Sequence, residues 1–295
     1  MKGAQVVDKA VIAVAGYGSR FFPIGKSVNK CMLPILNRPV VELAVADCLA
    51  AGVRQIALVT APGETGRQVR HYFSHDPDLE AHFTERGWQA KYEILADLHR
   101  GAEFTFLEQP RDDRYGTAVP AMVASTFIDG DDFLFLAGDD LLLRPGGGSD
   151  LADLVAERRH AGTPAAIAAA TVPGTDAGRY GILVTRHDEH GNRLLEAIVE
   201  KPEHHRDPVA HINISRALLP GDFTDYLDTL KCAANGEYQS TDAIEDYARD
   251  HDVLVHPVAG QYHDCGNTAG WLAANLAAAH AQGITLPAPS GLAST

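Results

Sequence analysis

Apolar residues in this chain gather into short continuous runs separated by longer amphipathic stretches. Ala10–Ala15 (AVIAVA), Gln55–Thr60 (QIALVT) and Asp132–Ala137 (DFLFLA) have no polar position in their interiors. Unbroken runs of this length read as strands covered on both faces, the habit of parallel sheets. Between the first two lies a loop holding Pro23, Gly25 and Pro34, then a helix over about Pro39–Ala51 that Gly52 stops. Strand, loop, helix and strand in that order predict a right-handed crossover between parallel strands. Helical spacing returns at Thr65–Phe73, Leu79–Arg86 and Gly116–Thr126, with a strand at Glu103–Leu107, while Gly87–Arg100 is ambiguous.

The second half has a different texture. A flexible tip at Gly146–Gly148 precedes a helix near Asp150–Ala161. Short strands are then predicted at Ala165–Val172, Gly181–Val184, Leu194–Val199 and Ala210–Ile214. Helices follow near Phe223–Cys232 and Ser240–Asp250, then a strand at Val253–Val258 and a last helix at about Thr268–Ala281. The Pro/Ser/Gly-rich tail, residues 286–295, is expected to be mobile. No internal repeat is evident. The division expected is one domain over 1–285, with a nucleotide-type half at about 8–145 and a second binding half at about 146–285.

Composition narrows the classes. The 295 residues are 45% hydrophobic and 22% charged, ordinary for a soluble globular protein. Twenty-five Lys+Arg against 39 Asp+Glu leave a formal charge of −14, a field that repels polyphosphate backbones and argues against nucleic acid as a partner. A small phosphorylated ligand would need a local basic pocket. Cys31, Cys48, Cys232 and Cys265 form no metal-ligand spacing and read as reduced, mostly buried thiols. No run approaches the roughly 18 apolar residues of a membrane span, and the N-terminus lacks a signal-peptide pattern, so a cytoplasmic protein with no membrane partner is expected.

Open parallel sheets bind ligands beyond the carboxyl ends of their strands, and the chemistry-bearing residues of this chain follow its apolar runs. After the first run come Gly16-Tyr17-Gly18-Ser19-Arg20, then Lys26 and Lys30: glycines that let a backbone approach phosphate, with three cations between positions 20 and 30. A dinucleotide fingerprint fails, with Phe21 in place of a needed glycine, and a P-loop fails because Arg20 stands where its first glycine belongs. After Asp132–Ala137 come Asp139-Asp140, hard oxygen donors suited to Mg²⁺ or, alternatively, turn carboxylates. Glu200-Lys201-Pro202 closes another run, either as a surface ion pair or as an acceptor for sugar hydroxyls beside a cation for phosphate. Asp264 precedes the last helix and suits a cap or a metal. The fourteen His, mostly in loops, and Cys265 read as solvated and packing residues respectively. No Ser/His/Asp or Cys/His nucleophile constellation is evident.

The ordered set Ala15–Arg20, Lys30–Pro34, Gln109, Gly116, Asp139, Tyr180-Gly181, Glu200-Lys201-Pro202, Gly236–Ile244 and His263–Asn267 resembles the bacterial sugar-1-phosphate nucleotidylyltransferases, nearest their UTP–glucose-1-phosphate uridylyltransferase branch. The resemblance runs from about Ala10 to Ala279. It implies an α/β fold with a Rossmann-like mixed, mostly parallel sheet flanked by helices, of the nucleotide-diphospho-sugar transferase type. It also implies the reaction NTP + sugar 1-phosphate ⇌ NDP-sugar + pyrophosphate. By position it assigns Ala15, Gly16, Gly18, Ser19, Lys26, Gln109, Arg114 and Gly116 to the nucleotide, with Arg20 and Lys30 on the triphosphate. Tyr180, Gly181, Glu200, Lys201 and Asn213 are assigned to the sugar phosphate, and Asp139 and Asp264 to Mg²⁺. A homodimer or tetramer is what the family suggests. A sugar phosphate is anionic at neutral pH, so direct in-line attack without a covalent enzyme intermediate is expected, carried by positioning and charge neutralisation.

The chain also departs from the branch's usual pattern: Ser19 replaces Thr, Cys31 replaces a carboxylate, and Arg114-Tyr115 and Thr117 alter the loop around Gly116. Asn213-Ile214-Ser215-Arg216 replaces a more apolar stretch. The alternatives these leave are another base, GTP foremost, another hexose or a cyclitol phosphate, and a non-catalytic regulatory protein that binds a nucleotide sugar.

Overall fold

The computed structural model describes residues 7–284; the predicted mobile tail lies outside the described residues. The first strand, β1 (Lys9–Val14), is followed by three short 3₁₀ turns and a small ribbon, β2 (Pro34–Ile35) with β3 (Arg38–Pro39). Helix α1 (Val40–Ala50) then crosses to β4 (Gln55–Thr60). Next come α2 (Glu64–Phe73), α3 (Pro77–Glu85), α4 (Gln89–Arg100) and β5 (Glu103–Glu108). The ambiguous stretch is thus a helix. It reads poorly because among its twelve residues only Tyr92 and Ala96 are buried, too few to make an apolar stripe.

Past β5 lie α5 (Val119–Val123), α6 (Ser125–Ile128), β6 (Phe133–Ala137), β7 (Asp140–Leu143), α7 (Asp150–Ala161) and β8 (Ala165–Pro173). The helix predicted from Gly116 starts three residues later because Gly116 has φ +131°, outside helical geometry, and it breaks at Ala124. The remainder is β9 (Gly181–His187), β10 (Arg193–Glu200), β11 (Val209–Leu219), α8 (Phe223–Thr229), α9 (Ser240–Asp250), β12 (Val253–Pro257), β13 (Gln261–Asp264) and α10 (Thr268–Ala281). Here β11 runs five residues past its predicted end, and α8 stops at Thr229 rather than Cys232. The β7–β13 ribbon is unannounced in the sequence: Leu141–Leu143 is only three residues long and Gln261–Asp264 alternates polar groups.

Nine strands form one sheet in the order β5-β4-β1-β6-β11-β8-β12-β10-β9. The block β5, β4, β1 and β6 is parallel, β11 runs against both β6 and β8, and β12 is parallel to β8. Alternate residues of the central strands face opposite layers. Val11, Ala57, Val59, Phe133 and Phe135 meet α5, α6, α8 and α9 on one face. Ile12, Ile56, Leu58, Leu134 and Leu136 meet α1, α2 and α7 on the other. This two-sided burial is the expected mixed, mostly parallel α/β sheet flanked by helices. No helix among the described residues is long and apolar enough to cross a membrane.

Register decides what lies at the edge. Ala13 pairs with Ala137 and Val14 with Thr60, so the parallel strands finish level with one another. Gln109 N donates to Thr60 O and Gly138 N to Ala13 O, extending that level by one step. Ala15, Gln109 and Asp139 therefore leave the sheet along one rim. The loop after β1 is tied down by Asn29, which is buried. Its side-chain amide donates to Val14 O at 2.9 Å, and its Oδ1 accepts from Cys31 N at 2.9 Å, capping the 3₁₀ turn that begins at Lys30. Cys31, Cys48 and Cys265 are buried free thiols, and Cys232 is an exposed one.

Removing that amide leaves buried backbone groups unpaired, so Asn29→Ala is expected to lower unfolding stability by roughly 1–3 kcal/mol. Urea denaturation checks this, and an unchanged midpoint would mean the loop is held by something other than Asn29.

Candidate active site

A cavity of about 270 Å³ opens at the rim where the parallel strands end. One wall is the loop after β1, with Ala15, Gly16 and Tyr17, and with Lys30 beneath it. The lysine passes so close under the loop that a Cβ at Gly16 would lie 2.9 Å from Lys30 Cε. Its ammonium reaches Asp139 Oδ2 at 2.5 Å, with both side chains largely shielded from water. Burial is the largest single influence and would pull the Lys30 ammonium down. The Asp139 carboxylate, together with Cys31 and Asp140, nevertheless holds the group up at about 12, so Lys30 stays charged at any physiological pH.

Arg20 lies on the outer side of this wall. It is 63% exposed, and its Nη1 stands 3.7 Å from Asp264 Oδ2. It belongs to the 3₁₀ turn Ser19–Phe21, entered through Gly18 at φ +64°. Lys26 is exposed on the next turn and does not line the cavity. Two of the three cations grouped by sequence thus converge on the aspartates, and the third points to solvent.

Asp139 and Asp264 come together over Gly266. A Cβ there would sit 2.6 Å from Asp139 Oδ2 and 2.9 Å from Asp264 Oδ1, so glycine leaves the space into which both carboxylates point. Asp264 is oriented by Gly266 N at 2.9 Å and by Asn267 Nδ2 at 2.9 Å, while Asn267, not Asp264, caps α10. Across the ribbon Asp264 faces Asp140, whose carboxylate accepts from the Tyr262 hydroxyl at 3.0 Å. Burial, and then the neighbouring Asp139 charge, raise the Asp140 carboxyl above the usual range while Arg216 opposes the shift. Among the described residues no three His, Cys, Asp or Glu gather as a metal cage. Two convergent carboxylates fit Mg²⁺, which keeps several waters and shares phosphate oxygens.

The opposite wall holds Gln109 and Tyr115–Thr117. This loop is clipped to a segment more than a hundred residues away. Tyr238 N donates to Tyr115 O and Ala118 N to Tyr238 O, both at 2.9 Å, and Ser240 N donates to Thr117 Oγ1 at 2.8 Å. Gly116 is required there: its φ is +131°, and a Cβ would lie 2.3 Å from Tyr238 O. Arg114 is turned aside. Its guanidinium and its own amide bond Asp112, and it does not line the cavity; Tyr115 does.

The sugar-side candidates form a corner beside the cavity. Gly181 pairs with Glu200 in the β9–β10 ladder, and a Cβ at Gly181 would meet Glu200 Oε2 at 2.9 Å. Lys201 N donates to Tyr180 O at 3.0 Å, while Lys201 itself holds φ +42°, a strained backbone of the kind found at ligand sites. Its ammonium lies 3.2 Å from Glu200 Oε1, and both side chains are half exposed or more. Ile182 pairs with Ile212, so Gly181 and Asn213, one residue further along each strand, stand side by side. Of this group only Asn213 lines the cavity. Glu200 also contributes to raising the Asp242 carboxyl, after burial, Glu245 and Asp246, which sets it near the start of α9 where Ser240 lines the cavity.

Among the polar residues lining the cavity, Tyr115 and Thr117 were noted in the sequence only as departures in the loop around Gly116, and Glu237 and Ser240 only as part of a motif, with no site role assigned to any of the four. The run Gly236–Ile244 carried part of the resemblance, yet nothing local shows that it folds back onto Gly116.

Comparison with known proteins agrees with this architecture. The Nucleotidyl transferase family profile matches residues 9–281. The chain belongs to that family. It is 29% identical over 270 residues to the UTP–glucose-1-phosphate uridylyltransferase of Bacillus subtilis, covering 92% of this chain and 90% of that one. It is 30% identical over 279 residues to UTP–glucose-1-phosphate uridylyltransferase 2 of Streptococcus pyogenes, covering 92% and 89%. Among solved structures, UDP-glucose pyrophosphorylase complexed with UDP-glucose superposes with a TM-score of 0.79 at 25% identity, covering 92% of this chain and 98% of that one. The UTP-bound enzyme of Acinetobacter baumannii gives 0.79 at 29% identity, covering 92% and 93%. The α/β sheet expected from the sequence is therefore the nucleotidyl transferase fold.

Gly116→Ala is expected to cost about 1–3 kcal/mol through strain and to open the clip. Hydrogen exchange should then accelerate at the Ala118 and Tyr238 amides. Protection equal to wild type at both would show that the loop tolerates the Cβ.

Proposed function

We propose that this nucleotidyl transferase makes UDP-glucose and pyrophosphate from UTP and glucose 1-phosphate, with residues 8–145 supplying the nucleotide side and 146–285 the sugar-phosphate side. The observation that carries the reading is the pairing of Lys30 with Asp139 on the cavity lining, with the Arg20–Asp264 pair next to them across Gly266. Cations and carboxylates held together there suit a reaction between two phosphorylated anions, which repel each other until their charge is neutralised.

Ala15, Gly16, Gly18 and Ser19 present backbone to the nucleotide. Gln109 offers an amide donor and acceptor side by side, complementary to the N3–H and carbonyl edge of uracil. Lys30 and Arg20 hold the triphosphate and take up the charge of the departing pyrophosphate. Glu200 accepts from sugar hydroxyls beside the backbone of Gly181, Asn213 reaches another hydroxyl, and Lys201 clamps the phosphate that attacks. That phosphate is already anionic, so no side chain needs to remove a proton, and attack on the α-phosphorus proceeds in line with pyrophosphate leaving. Asp139 and Asp264 would hold Mg²⁺, which supplies Lewis-acid neutralisation of the phosphate oxygens.

The deciding assay mixes the protein with Mg²⁺, glucose 1-phosphate and UTP, dTTP, GTP or ATP in turn and follows pyrophosphate release. UTP is expected to be fastest. A GTP preference would replace the base assignment, and no release with any NTP and any sugar or cyclitol phosphate would favour a non-catalytic regulator.

Lys201→Ala should lower kcat/KM for glucose 1-phosphate roughly tenfold to a hundredfold, the worth of a charge-assisted contact, with KM for UTP unchanged. Steady-state kinetics in both substrates read this directly, and wild-type values for the sugar phosphate would remove Lys201 from the site. Asp139→Asn should reduce kcat by roughly 10²–10³, the scale of losing a principal electrostatic contact to the transition state. A turnover near wild type would take Asp139 out of the metal site.

A further inference from the structure

Arg216 heads the large side chains that are fully buried, at 1% exposure, and it forms part of the cavity's floor. It sits on β11 where the ladder with β8 slips between Asn213 and Ala217, next to Ser215 at φ +51°. Its Nη1 donates to Asp47 Oδ2 of α1 at 3.1 Å, and its Nη2 donates to the main-chain oxygen of Asp140 at 2.7 Å. Its Nε is buried without a partner. Burying a guanidinium this incompletely satisfied is costly, and an apolar side chain of similar volume would fill the space at less cost. The charge and the fork must therefore do something packing does not.

What the fork grips is informative. Asp140 is joined to Asp139 in sequence and faces Asp264 across the β7–β13 ribbon. A single guanidinium thus anchors the backbone between the two carboxylates read as metal ligands, and fastens it to α1. We propose that Arg216 is a positioning residue for the divalent ion: clamped between Asp47 and the Asp140 carbonyl, it fixes the spacing of Asp139 and Asp264 and so sets their affinity for the metal. The inference rests on the reading of those two aspartates as the metal carboxylates. Simple electrostatics predicts the opposite sign, because removing a nearby cation should strengthen metal binding.

The test is a Mn²⁺ titration of the full chain, following the EPR signal of the free ion with protein alone, with UTP and with GTP. In Arg216→Lys a compact ammonium cannot reproduce the fork, and in Arg216→Met the charge is absent as well. Both are expected to bind Mn²⁺ about tenfold to a hundredfold more weakly while folded by circular dichroism, the scale seen when residues supporting metal ligands are lost. KM for glucose 1-phosphate should be unchanged. Asp47→Asn, which loosens the other anchor and keeps Arg216, should shift Mn²⁺ affinity the same way by less, and it decides the matter if neither Arg216 variant folds. Unchanged or tighter Mn²⁺ binding in the folded variants overturns the proposal, as does a wild-type protein that takes up no Mn²⁺ under any of these conditions. Failure of the proposed reaction would be seen separately, as absent pyrophosphate release by the wild type, while the titration still reports on Arg216.

Discussion

Carboxylates crowded at the edge of a sheet repel one another, and the architecture around this cavity follows from offsetting that repulsion. Asp139, Asp140 and Asp264 meet where β6, β7 and β13 join. A chain of formal charge −14 has no general surplus of cations to offer them, so the compensating charges must be delivered individually. Lys30 arrives from the loop after β1, threaded under Gly16, and Arg216 arrives from β11. An ion pair that shielded contributes little net stability, yet losing one partner is costly, because the other is left as a buried, uncompensated charge. The loop, the ribbon and the bent strand are therefore locked to one another by charge as well as by packing.

The same arrangement suits chemistry on phosphates. In the proposed reaction, the cations that offset these carboxylates are the groups a triphosphate needs. They are poised by the fold, so little reorganisation remains when charge develops. Lys30 is shielded and paired with Asp139 at 2.5 Å, whereas Arg20 is exposed and stands 3.7 Å from Asp264. In the proposed reaction the first would act as a fixed anchor for phosphate, and the second, at the surface, would meet the incoming anion.

Strand β11 links the two sides of the site. Its outer part pairs with β8 and touches β9, beside Gly181, while its inner part pairs with β6. The irregularity between them presents Asn213 to the cavity and carries Arg216 beneath the aspartates. A straight strand would have kept alternating its side chains between the two helical layers and left neither residue where it is.

Much of this was legible from residue order. Continuous apolar runs determine parallel strands because both faces must be covered, and such strands deliver whatever follows them to one rim; that put Gly16 and Asp139 side by side, whereas Gln109 entered only through the family resemblance. Gly116 and Gly181 could be singled out by motif, though only contacts revealed why they are glycines: the Tyr238 backbone and the Glu200 carboxylate occupy the space of a Cβ. Other features depend on pairings between residues far apart in the chain and carry no local signal. Arg114 looked like a base-reading group until Asp112 was seen to claim it, and Tyr115 lines the wall instead. The β7–β13 ribbon, the clip from Tyr115 to Ser240 and the burial of Arg216 are all of this kind. Periodicity records which face of an element is apolar, so it determined the layers; which polar group meets which across the rim is set by strand register and bulges, and those were decided only when the sheet assembled.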